Sequence, residues 1–177
     1  IKAVRDQRAE DREPDWWLEE RTITGLQSVS RAGFRYDLLM RVPQLRVVPD
    51  LLDRLPEMRW ILEHAGKPPV SSGELKKWRD DLRAIAHGPN VACKISGLVV
   101  EADHEHWGTG DLRPFIQSAA ELFGIDRLMW GSDWPVSLLA AKYERTLDSA
   151  VEALGTTDSR ALSRFLEGSA RSWYELG

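Results

Sequence analysis

The 177-residue sequence predicts an α/β fold of repeated βα units, a (β/α)8 barrel lacking about three N-terminal units. Three observations lead there. Short apolar runs with β-branched or aromatic content each end on a polar residue and then give way to a helical pattern. Those polar residues, Asp6, Asp37, His64, Ser96 and Asp133, lie 31, 27, 32 and 37 residues apart. A strand, a crossover helix and the next strand occupy roughly 30 residues, so the spacing speaks for parallel strands rather than hairpins. The chain also opens Ile-Lys-Ala-Val-Arg, as if inside a strand, with no initiator Met and no leader. An open doubly wound sheet suits the length and can close with five strands. Carboxylates and a histidine at successive strand ends favour the barrel, and three more units would bring the chain near the usual ~250 residues.

The elements follow in order. A first strand is expected at residues 1–5, then a charged, solvent-facing loop at 9–14 (AEDREP). A second strand places Phe34, Tyr36 and Leu38 around Asp37, and Pro43 starts a short segment running to Leu55. Residues 59–63 (RWILE) form a third strand that delivers His64. Ser72 precedes a helix whose Leu75, Trp78, Leu82 and Ile85 recur at intervals of 3, 4 and 3, one amphipathic stripe ending at His87-Gly88-Pro89. Residues 91–95 (VACKI) form a fourth strand, and Thr109-Gly110-Asp111 opens a helix that stops at Gly124. Residues 127–130 (RLMW) form the fifth. Helices at 138–154 and 158–166 precede a tail with Trp173 and Tyr174. No linker or low-complexity stretch intervenes, so residues 1–177 are expected to be the C-terminal part of one domain, its strands 4 to 8.

Composition narrows the function. With 24 Lys and Arg against 28 Asp and Glu, the net charge of -4 disfavours a nucleic-acid surface or a polybasic membrane patch. No apolar run approaches the ~20 residues of a membrane helix. A single cysteine, Cys93, forms no intrachain disulfide and suits a reducing cytoplasm, the expected location. Beside Lys94 alone it reads as a small buried hydrophobe, not a nucleophile. There is no Gly-rich phosphate loop and no Gly-x-Ser-x-Gly elbow.

Three stretches carry the chemistry. In residues 123–136 (FGIDRLMWGSDWPV) an apolar strand delivers Asp133, with Gly131 allowing a tight backbone and Pro135 ending strand pairing. Residues 60–69 (WILEHAGKPP) put His64 at a strand end, and 93–98 (CKISGL) follow the same pattern. Parallel α/β folds place their chemistry at the carboxyl ends of strands.

These stretches, together with VRDQ at 4–7, REPDWW at 12–17, YDLLMR at 36–41 and DLRPF at 111–115, resemble the C-terminal part of the amidohydrolase superfamily. The resemblance is specifically to its lactonase branch, which includes L-fuconolactonase, L-rhamnonolactonase and pyrone-dicarboxylate lactonase-like enzymes. The resemblance implies a metal-dependent-hydrolase type of TIM barrel that opens a small sugar or pyrone lactone. Asp133 matches the family's last-strand aspartate, a general base for the attacking water. His64 matches its sixth-strand histidine, a carbonyl polariser or metal ligand. The family's first-strand His-x-His has no counterpart in this sequence, so His64 and Asp133 would share a divalent metal, zinc foremost, only with such ligands from elsewhere; other members use no metal. Relatives commonly have Val-Arg-His-Gln where this chain has Val4-Arg5-Asp6-Gln7, which alters what that strand end can bind.

Asp37 and Lys94 lie on strands and suit either substrate binding or a buried ion pair. Arg5 and Arg41 suit carboxylate or hydroxyl clamps or plain surface charge. Asp6, Trp107 and Trp134 complete the expected substrate-binding set. Trp130 is expected in the core. His104-Glu105-His106 imitates a zinc motif but sits in a polar stretch expected to be a loop or lid. The partner implied is a small-molecule lactone, with no nucleic acid and no membrane, and homo-oligomerisation is left open. The alternatives are a decarboxylase of the same superfamily, or a non-catalytic fragment or remnant.

Overall fold

The computed structural model describes residues 1–177. Five strands, β1 (Ala3–Val4), β2 (Arg35–Leu38), β3 (Trp60–Leu62), β4 (Val91–Ile95) and β5 (Leu128–Trp130), form one parallel sheet in sequential order. All five coincide with the expected runs. Doubly wound sheets reverse their order at a switch point. This sheet never does, and right-handed crossovers stepping always the same way keep the connecting helices on one face, as in a barrel wall.

Those helices are α1 (Glu20–Arg31), α2 (Val48–Arg54), α3 (Leu75–Ala86), α4 (Thr109–Phe123) and α5 (Tyr143–Leu154). The chain closes with α6 (Ser159–Ser163), a π-helical turn and α7 (Ser169–Tyr174). On α3 the stripe Trp78, Leu82 and Ile85 is fully buried, and Trp78 meets Phe115 of α4 edge-on at 5.3 Å. No helix is long and apolar enough to cross a membrane.

Strand alternation divides the sheet. Tyr36, Leu38, Trp60, Leu62, Val91, Cys93, Ile95 and Leu128 face the helices in the main apolar core. The opposite face carries Asp37, Ile61, Ala92, Lys94 and Met129, with Asp37 in register with Ile61, Ile61 with Ala92, and Lys94 with Met129. Its lower part is apolar: Ile61, Ala92 and Met129 form a small core with Trp173 of α7.

Several elements differ from expectation. The sequence reading missed α1, whose ERTITGLQSVSR contributes only Thr22, Ile23 and Leu26 to the interior; packing overrides its weak intrinsic preference. The helix expected from residue 138 begins at Tyr143, because Val136–Leu139 form a 3-10 turn with Val136, Leu138 and Leu139 exposed. The segment from Pro43 is a 3-10 turn (Val42–Val47) running into α2. The expected loop at 9–14 contains a 3-10 turn that buries Ala9. The tail is helical, because Trp173 is drawn under the sheet, where its Nε1 donates to Asp126 O at 3.0 Å.

Candidate functional site

A cleft of about 530 Å³ opens where the strands end, and Arg5, Asp37, Glu63, His64, Lys94 and Asp133 all line it. Its centre is the His64–Asp133 pair. His64 follows β3 and Asp133 follows β5, so the two flank the end of β4, which supplies Ser96 and Gly97 between them. His64 Nδ1 is hydrogen-bonded to Ser96 Oγ at 2.8 Å. Its Nε2 lies 3.7 Å from Asp133 Oδ1 and 3.9 Å from Glu63 Oε2. Both distances exceed a hydrogen bond, so neither carboxylate is bonded to Nε2.

The backbone is bent to make this arrangement. His64 and Asp133 have φ of 53° and 54°, left-handed values that non-glycine residues rarely adopt. Such strain, about 1–3 kcal/mol per residue, persists where surrounding structure enforces it and clusters at functional sites. Two bonds enforce it here: Trp78 Nε1 donates to Ala65 O at 2.8 Å, and Ser137 N donates to Asp133 O at 2.9 Å. Gly97, with φ of 65°, is required twice over. A Cβ there would stand 2.8 Å from Asp133 Oδ2 and 2.9 Å from His64 Nδ1.

Beside this pair lies a second polar cluster. Lys94 Nζ donates to Glu63 Oε1 at 2.5 Å and to Tyr174 OH at 2.9 Å, and stands 3.8 Å from Asp37 Oδ2. Tyr174 OH in turn donates to Asp37 Oδ1 at 2.7 Å. Arg5 reaches Glu63 at 3.8 Å. Gly131 makes the room, since a Cβ there would meet Lys94 Cδ at 3.2 Å.

Burial governs the charge states. It pushes Asp37 up to about 6, with Glu63's charge adding to it and Lys94 opposing. Burial is the largest influence on Glu63 and acts to raise it, but the groups around it, Lys94 first among them and then His64 and Arg5, together hold that carboxyl below its usual range. Burial lowers His64 against the nearby carboxylates, favouring the neutral ring. Asp133 is raised by burial, against the pull of His64 and Lys67.

The expected site residues divide. Arg5, Asp37, Lys94 and Trp134 share the cleft with His64 and Asp133. Asp6 instead accepts from Arg8 N at 2.8 Å in a turn. Arg41 is exposed and pairs with Glu10 at 3.6 Å. Trp107 is buried away from the cleft, bonded to Ala140 O and stacked under Arg145. His104, Glu105 and His106 lie in an exposed turn. The sequence reading did not name Glu63, Ser96 or Tyr174 as site residues. For the first two the signal was present, as polar residues at the ends of apolar runs; Tyr174 had none.

An amidohydrolase family model matches residues 3–176. The chain belongs to that family. It is 33% identical over 135 residues to an L-fucono-1,5-lactonase of Burkholderia ambifaria, covering 76% of this chain and 46% of that protein. An L-fucono-1,5-lactonase of Burkholderia multivorans is 44% identical over 132 residues, 68% of this chain and 44% of that protein. The chain thus spans less than half the length of these relatives. A crystal structure of an amidohydrolase from Burkholderia multivorans with bound zinc superposes with a TM-score of 0.91 at 32% identity, covering 100% of this chain and 65% of that one.

Zinc sites take three or four protein ligands. No three His, Cys, Asp or Glu side chains of this chain converge to hold a metal. His64 and Asp133 are donors of suitable type, but two do not make a centre, so the residues present do not by themselves fit the ion.

Proposed function

We propose that the protein hydrolyses a small neutral lactone, with Asp133 as general base and His64 as the group that polarises the carbonyl. The observation that carries this reading is the His64–Asp133 pair itself. Both residues are held in left-handed backbone and face each other across Gly97, with Nε2 and Oδ1 3.7 Å apart. Membership of a family with lactonase relatives supports the same reading.

In this reading Ser96 Oγ–H donates to His64 Nδ1, which leaves Nε2–H pointing to the cleft as a donor. Asp133 removes a proton from water as its oxygen bonds to the lactone carbonyl carbon. The carbonyl oxygen becomes an oxyanion held by His64 Nε2–H. Collapse breaks the bond from that carbon to the ring oxygen, and the proton on Asp133 passes to the departing alkoxide. A hydroxy acid results. A raised pKa suits Asp133 to this cycle, because a stronger base accepts the proton more readily.

The charges indicate the substrate class. Arg5 and Lys94 both engage Glu63, and Asp37 and Asp133 add further negative charge, so the cleft has no free cation for a substrate carboxylate. A neutral lactone suits it better than a pyrone dicarboxylate. The test is hydrolysis of L-fucono-1,5-lactone by the purified protein. Turnover well above the spontaneous rate, reduced about 100-fold or more in Asp133→Asn, supports the assignment. Undiminished turnover in the variant removes the base.

A further inference from the structure

A second pocket, of about 200 Å³, opens on the far side of the His64–Asp133 pair from Lys94, and Arg5, Gln7, Glu10, Lys67, Glu101 and Asp133 contribute to its lining. Its charged groups are unevenly satisfied. Glu10 is bound by Lys67 and also approached by Arg41 at 3.6 Å. Glu101 is half-buried, and its backbone is engaged: N donates to Leu98 O and O accepts from Ser71 N. Its carboxylate, by contrast, has no hydrogen bond or ion pair. Withdrawing a carboxylate from water without a partner is costly, and it raises the affinity of Glu101 for a proton.

We propose that this pocket is the subsite that reads the ring hydroxyls of the substrate, with Glu101 as the residue that sets specificity for a polyhydroxylated lactone. The inference rests on the lactonase reading above and extends it. A carboxylate offers two acceptor oxygens, which match the two O–H donors of a vicinal diol. The pocket reaches Asp133 and His64, so a ring whose carbonyl lies between them can extend its hydroxyl-bearing carbons towards Glu101 and Glu10. An anionic substituent is disfavoured, because the cations at and beside the pocket, Arg5, Lys67 and Arg41, are each already paired with a carboxylate, Glu63 or Glu10. A metal ion is no better fitted, since these carboxylates do not converge.

The test compares two neutral lactones, L-fucono-1,5-lactone and the unsubstituted δ-valerolactone, in the wild type, Glu101→Gln and Glu101→Asp. The expected result is a fall of about tenfold in the ratio of kcat/KM for the hydroxylated over the plain lactone in Glu101→Gln, with KM carrying most of it. Partial recovery in Glu101→Asp is expected too. An unchanged ratio overturns the proposal. Calorimetric binding of L-fucose, the lactol that offers the hydroxyls but no scissile ester, separates the two readings. Weaker binding in Glu101→Gln without any lactone turnover sinks the lactonase reading and keeps the subsite. Turnover of both lactones with fucose binding unaffected by Glu101 does the reverse.

Discussion

Ile61, Ala92 and Met129 close dryly against Trp173, whereas two residues further along the same three strands Glu63, Lys94 and Gly131 open into the cleft. The side chains at both levels point to the same face of the sheet, so the division is not between inside and outside. It is between a lower layer whose work is packing and an upper layer of polar groups, several of which hold one another: Lys94 is held by Glu63 and Tyr174, Asp37 by Tyr174, and His64 by Ser96. A (β/α)8 wall separates stability from chemistry along its strands, and this sheet sets a packed layer and a polar cleft within one pleat. The two layers should therefore respond differently to substitution.

The largest effect is expected at Gly97. In Gly97→Ala the new methyl is forced against both Asp133 and His64 at a φ of 65°. Turnover should fall about 100-fold or more, as expected when a reacting pair is displaced by an ångström. A kinetic assay showing near-normal rates would mean that the spacing of the pair is unimportant. In the lower layer, Trp173→Ala should cost about 3 kcal/mol in denaturant unfolding, the usual range for a buried aromatic. A loss below about 1 kcal/mol would show that the small core contributes little. Ser96→Ala should lower kcat about tenfold with KM nearly unchanged, because it frees the His64 ring without removing it.

The smallest effect concerns pH. Asp37 binds its proton more tightly folded, at about 6, than unfolded, at its ordinary value near 3.8. Between those values the folded state holds more protons, so this group's contribution makes stability fall as pH rises through about 6. His64 acts in the opposite sense, since its folded value is lowered and its contribution grows as pH rises. The readout is therefore the difference between wild type and Asp37→Asn. The variant's Tm should decline less, or rise more, from pH 5 to pH 7. Parallel curves would show that Asp37 is not held in this state.

Much of this organisation was legible in the sequence. Strand ends announce themselves, because a polar residue closing an apolar run every ~30 residues is what a chain of βα units produces, and His64 and Asp133 stand at two of them. Glu63 was harder to see. As the last residue of RWILE it looks like ordinary strand-edge polarity until the register sets it beside Lys94. Tyr174 was beyond reach, since it meets Asp37 from 137 residues away in the chain. Trp107 shows the opposite failure: an aromatic residue in a polar loop suggests a pocket wall, yet its ring is buried beneath Arg145. Local pattern identifies where a strand ends, while long-range packing decides which side chains meet there.

The central claim is that His64 and Asp133 act as one unit on the lactone, and a double-mutant cycle in kcat/KM tests it most directly. His64→Gln, Asp133→Asn and the double variant would be assayed with L-fucono-1,5-lactone, each with its folding confirmed by thermal melt. The double variant is predicted to lose little more than the worse single variant, as catalytic groups that work together do. Losses that simply multiply would contradict the account.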